Sequence, residues 1–176
     1  MMRYIKLVFI TMALPFLTGG RGSASGTTDT AAEKAKIAQV IHDSIEWPYP
    51  EKNRERLYAT IAKDPSFFIF HPDSKSTIVG FDAFRNLVEK VFMNPAFEAK
   101  GSDIRDLRVN LSRSGDVAWF SAILDDFGES NGKPYAWLNT RWTGVLEKRE
   151  GKWLIVQMHF SFASDANDSE STKSQE

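Results

Sequence analysis

The sequence predicts an α+β fold: a curved antiparallel sheet wrapped against three helices around a central pocket. Three observations predict it. Helical patterns and two short apolar runs alternate up to about residue 95. Beyond that, every pattern is β, and the turns are short enough to make consecutive strands antiparallel neighbours. Each helical segment carries one apolar stripe, which a sheet must cover. A curved sheet over helices commonly leaves a pocket between them. The predicted order is α-α-β-β-α-β-β-β-β.

The first helix opens at Thr30-Ala-Ala-Glu33, a capping-box pattern, and its stripe is Ile37, Val40, Ile41, Ser44 and Ile45. Pro48 and Pro50 end it. The second runs from Glu51 to Ala62, with Leu57, Tyr58 and Ile61 inward. Phe67 to Phe70 and Thr77 to Val79 read as two short strands around a polar turn. A third helix spans about Asp82 to Met93, and Phe84, Leu87, Val88, Val91 and Phe92 form its stripe. Leu107 to Leu111 alternates, Val117 to Phe127 is a long strand, and Asn131-Gly132 signals a hairpin. The last hairpin, Trp137 to Phe162, turns at Arg149-Glu150-Gly151-Lys152. Strict alternation puts Leu154, Val156, Met158, Phe160 and Phe162 on its core face. Trp153, Ile155, Gln157, His159 and Ser161 take the outer face.

The chain has 176 residues and a formal net charge of −1, enough for one domain with a real core. Balanced charge and the lack of a basic stripe argue against nucleic acid as a partner. Residues 1–25 read as a signal peptide: Arg3 and Lys6, a short apolar run from Leu7 to Leu17, then small residues before cleavage after Ala24 or Ser25. The expected location is therefore periplasmic or secreted, with no membrane attachment after cleavage; the competing reading of this segment is an uncleaved anchor. With zero Cys there is no disulfide framework, thiol nucleophile or thiolate metal site. Residues 30–163 are expected to form the folded domain, and the polar stretch 164–176 a disordered tail.

Several stretches carry a resemblance. Phe70-His-Pro-Asp73 followed by Val79-Gly-Phe-Asp-Ala-Phe84 is similar to a short hairpin, glycine and third-helix start. Gly115-Asp-Val-Ala-Trp-Phe120 is similar to a central strand. Arg141 to Trp153 and Ile155 to Ser161 are similar to a closing hairpin. Together they resemble the nuclear transport factor 2-like superfamily, also called the SnoaL-like or ketosteroid isomerase-like fold. The resemblance implies a cone-shaped domain. It does not imply one activity, because members include isomerases, dehydratases, polyketide cyclases, transport adaptors and oligomerisation hubs. In the steroid isomerase branch, an Asp-Pro at the hairpin supplies the proton-shuttling carboxylate; here the pair is His71-Pro72. Val40 stands where that branch has an oxyanion-binding Tyr, and no late-strand Asp clearly matches its second donor.

The candidate catalytic residue is His71, a general acid/base by its imidazole chemistry, with Asp73 placed to orient it. The competing reading is a turn histidine and a turn aspartate. Tyr58, Phe68, Trp119 and Trp142 are candidate ligand-binding aromatics, or simply core. Arg141, Trp153, Gln157 and His159 are expected on the outer sheet face, as an anion site or, preferably, a homodimer interface. His42, His71 and His159 lack metal-ligand spacing, so neither metal nor cofactor is expected. Three functions follow: an exported small-molecule-binding homodimer; a cofactor-free isomerase, dehydratase or cyclase using His71; or an assembly module without ligand.

Overall fold

The structure is a computed structural model that describes residues 25–72 and 77–163, with side chains from residue 29. The elements are α1 (Ser25–Glu46), α2 (Arg54–Tyr58), β1 (Phe68–Phe70), β2 (Ile78–Val79), α3 (Phe81–Leu87), β3 (Phe97–Leu111), β4 (Val117–Ser130), β5 (Lys133–Arg149) and β6 (Lys152–Ser161). A π-helical turn, Val88–Phe92, extends α3. One six-stranded sheet runs β2-β1-β6-β5-β4-β3. Its pairs are antiparallel except β1 with β6, which is parallel, so the sheet is mixed. The predicted α+β architecture and element order hold.

The core lies between the helices and the concave sheet face. Ile37 and Ile41 of α1, Leu57 of α2 and Phe84 of α3 pack against Phe120, Leu124, Trp142, Leu146 and Ile155. Three expectations need correction. The chain is already helical at Thr30, so Thr30 to Glu33 is not a helix start. Glu33 binds the sheet instead. The helix after Glu51 is only five residues long, because the chain from Thr60 to Ala62 leaves it to pair with Ile155. Val91, expected in the inward stripe, is exposed. The Met93 N–H reaches back five residues to the Val88 carbonyl (2.8 Å), and this wider turn rotates the stripe.

Bulges bend the sheet. In β3, Asp106 and Leu107 together face Ala122; in β5, Leu138 and Asn139 together face Asp125; in β6, Val156 is the extra residue. Asp106 and Asn139 both take φ near 53°, a left-handed conformation that Asp and Asn tolerate better than most residues. A bulge reverses inward and outward positions beyond it. This overturns strict alternation in the last strand. Trp153 and Ile155 are buried before the bulge, and Met158 and Phe160 after it. Leu154 and Val156 are only partly buried, and Phe162 is exposed. Trp153 is therefore a core residue, not an outer-face one.

Glu33 ties α1 to the sheet. Its carboxylate accepts hydrogen bonds from Lys148 Nζ, Lys36 Nζ and Trp153 Nε1, each at 2.7 Å. These donors, Lys148 first, hold its pKa down at about 2. Arg149 and Ser66 hold Asp64 equally low, at about 2. Both carboxyls gain protons more readily in the unfolded chain. Their stabilisation is complete above the ordinary value and is lost as pH falls toward 2. Glu33→Gln is expected to lower the urea midpoint at pH 7, with the difference from the parent vanishing near pH 2. An equal gap at both pH values contradicts this.

Candidate functional site

A cavity of about 230 Å³ opens between the helices and the concave sheet face. Ile45, Trp47 and Pro48 border it from the end of α1 and the following loop, and Phe84 and Phe92 from the third helix. The sheet supplies Leu124 and Asp126 from β4, Tyr135 and Trp137 from β5, and Met158 and Phe160 from β6. His71 enters from the end of β1. The walls are thus mainly apolar, and the lining groups that titrate are His71, Asp126 and Tyr135. No Lys or Arg is among the lining residues.

The β5 bulge decides this wall. On β4 the inward residues are Phe120, Ala122, Leu124 and Asp126, opposite Gly144, Trp142, Thr140 and Trp137. Regular alternation from Thr140 would bring Leu138 and Ala136 inward. The extra residue brings Trp137 and Tyr135 instead. Tyr135 pairs with Gly128 and stacks on Phe97, with centroids 5.6 Å apart and planes at 18°. Only glycine fits opposite it. A Cβ at Gly128 would lie 2.8 Å from Tyr135 Oη and 2.3 Å from the Glu98 carbonyl oxygen.

Two of these groups hold their protons more tightly than usual. Burial alone pushes the Asp126 carboxyl up to about 6. A carboxylate without a cation or hydrogen-bond donors loses hydration on burial and favours its neutral form. The Tyr135 phenol is also pushed up, first by burial and then by the nearby Asp126. Its hydroxyl is buried and has no hydrogen-bond partner among the described residues. His71 stacks on Phe160, with centroids 5.8 Å apart and planes at 10°, and meets Trp137 edge-on at 5.9 Å. A carboxyl that is neutral below about pH 6, a phenol and an imidazole in one apolar cavity can bind an acceptor group or exchange protons with one.

The other predicted residues lie elsewhere. Trp142 is fully buried behind the cavity, stacked on Phe160 at 5.6 Å, and its indole N–H has no partner among the described residues. Tyr58 leaves the cavity because its hydroxyl donates to Glu89 (3.0 Å) while its ring meets Phe81. Phe68 sits on the outer face, since β1 turns Ile69 inward. Trp119 also faces outward, 48% exposed, from between the inward Ala118 and Phe120. Arg141, Gln157 and His159 stand on that outer face, where Thr143 pairs with His159 and Val145 with Gln157. Asp73 lies outside the described residues. Sequence reasoning missed Asp126 and Tyr135. Asp126 had a usable signal: it is an acid at the apolar parity of β4.

The profile of the SnoaL-like domain family matches residues 37–165. The chain belongs to this family. No curated protein matches it by sequence. Among solved structures it is similar to a nuclear transport factor 2-like superfamily protein from Salmonella enterica serovar Typhimurium. That match is 16% identical, covers 78% of this chain and 95% of the other, and has a TM-score of 0.66. A hexachlorocyclohexane dehydrochlorinase (LinA, type 2) is 18% identical, with 80% and 99% covered and a TM-score of 0.61. The association domain of C. elegans CaMKII is 14% identical, with 80% and 100% covered and a TM-score of 0.52. These likenesses establish the nuclear transport factor 2-like fold. Among the described residues, no helix is long and apolar enough to cross a membrane.

Asp126 binds its proton more tightly in the folded domain than in the unfolded chain. Stability from this group is therefore present at low pH and is lost as pH rises from the ordinary value of 3.8 through about 6. Asp126→Asn removes that loss. The variant is expected to be more stable than the parent at pH 8 by on the order of 2–3 kcal/mol, and equal to it at about pH 3. Thermal unfolding at both pH values checks this, and a destabilised variant at pH 8 contradicts it.

Proposed function

We propose that this domain binds a small apolar or amphipathic molecule in its cavity, with an acceptor group of that molecule at Asp126 and Tyr135. The carrying observation is the buried Tyr135 hydroxyl, without a hydrogen-bond partner among the described residues, beside a carboxyl whose hold on its proton burial strengthens. Buried donors without partners are rare in folded proteins, and a ligand acceptor is one way to satisfy them. The apolar body would lie against Phe92, Leu124 and Met158. The leader-like residues 1–25 support export to the periplasm or beyond.

A second reading is a cofactor-free isomerase, dehydratase or cyclase. It is favoured by His71 and Asp126 lining one cavity. The His71 imidazole would take a proton from the substrate, while Asp126 or Tyr135 holds the oxygen that gains charge. One fold neighbour is a dehydrochlorinase. An association domain is another neighbour, and the outer sheet face exposes Trp119, Phe70 and Val79. These exposed apolar groups, beside the polar Arg141, Gln157 and His159, support a homodimer through the sheet. Without a ligand, the same surface would serve an assembly module.

Titration with 2-naphthoate is the test of ligand binding. The expected dissociation constant is about 10–500 µM at pH 5, rising about tenfold per pH unit above pH 6 as Asp126 ionises. Tyr135→Phe is expected to weaken binding about 3- to 10-fold. No saturable binding at pH 5 sinks the reading. For the homodimer, sedimentation should show Trp119→Glu as a monomer and the parent as a dimer; equal masses contradict it.

A further inference from the structure

We propose that Asp125 is a positioning residue of the cavity, selecting the β5 register in which Tyr135 and Trp137, not Ala136 and Leu138, face the ligand. This rests on the cavity being the ligand site. The extra residue in β5 takes the Asn139 N–H out of the regular ladder. The Asp125 carboxylate accepts that N–H at 2.6 Å. Arg105 of β3 then donates from Nη2 to both Asp125 oxygens, each at 2.9 Å, and to Asn139 Oδ1 at 3.1 Å. One carboxylate therefore joins three strands at the point where inward and outward positions reverse.

The alternative is close at hand. Removing the bulge continues the alternation of Trp142 and Thr140 through Leu138 and Ala136, because side chains alternate with period two. Leu138 is now 57% exposed, and in that register it would turn inward. The cavity would then lose its phenol and one indole and gain an aliphatic wall. Asp125, Arg105 and Asn139 do not line the cavity. Their effect on ligand choice passes through Tyr135 and Trp137. A charged surface cluster is thus tied to specificity, and not only to the bend of the sheet.

The chain has no Cys, so Leu138→Cys introduces a single thiol. In the otherwise unchanged domain it should react quickly with Ellman's reagent. Adding Asp125→Ala should slow that reaction at least tenfold. Asp125→Asn, which keeps an acceptor for the Asn139 N–H, should leave it within twofold. Asp125→Ala should also cut the preference for 2-naphthoate over naphthalene at least tenfold, whereas simple loosening would weaken both probes alike. A folded Asp125→Ala whose thiol rate and preference stay within twofold of the parent overturns the proposal. Should Asp125→Ala not fold, Arg105→Gln decides in its place: at least threefold slowing supports the proposal, and an unchanged rate overturns it. Failure of the parent to bind either probe, with thiol rates as expected, counts against the cavity reading and leaves the register assignment standing.

Discussion

Side-chain parity along β5 is the constraint on which this site depends. A strand offers its residues alternately to two faces, and one inserted residue exchanges them. Below the bulge, Trp142 and Leu146 fill the core against Phe120 and Ile155. Above it, Tyr135 and Trp137 line a cavity. The same strand thus closes the core at one end and opens a pocket at the other. The bulges in β3 and β6 add to the bend, and Gly144 lets the layers meet: a Cβ there would fall 2.5 Å from the Phe120 ring and 2.7 Å from the Gln157 carbonyl oxygen.

Three carboxyls show how place sets chemistry. Glu33 and Asp64 have cationic and hydroxyl or indole donors, and both sit at about 2. Asp126 lies among apolar groups and sits at about 6. The first two stabilise the fold by remaining charged. The third disfavours the folded state once it ionises, so its position is better explained by binding chemistry than by stability. Tyr135 fits the same pattern, with a buried hydroxyl that no described residue satisfies.

The fold was legible because its evidence is local and periodic. The Ile37 and Ile41 spacing, the Phe84 and Val88 spacing, the Asn131-Gly132 turn and the Gly151 turn each need only a few neighbouring residues. His71 stood out in the sequence as an acid/base candidate or a turn histidine, and only the fold brings it to the cavity wall. The rest of the site was obscured by irregularity. Bulges at Asn139 and Val156 leave no strong mark in the sequence, so strict alternation misplaced Trp153. Phe68 and Trp119 drew notice as aromatics, yet their neighbours Ile69 and Phe120 hold the inward positions. Asp126 was readable in principle, as the acidic member of the series Ala118, Phe120, Ala122 and Leu124.

The account stands most directly on the protonation of Asp126. A carboxyl-detected NMR titration of the domain, with Asp126→Asn used to assign the signal, measures it. The account predicts a midpoint near 6 in the free domain, displaced upward when 2-naphthoate occupies the cavity. A midpoint near the ordinary 3.8 that does not respond to the ligand would contradict it.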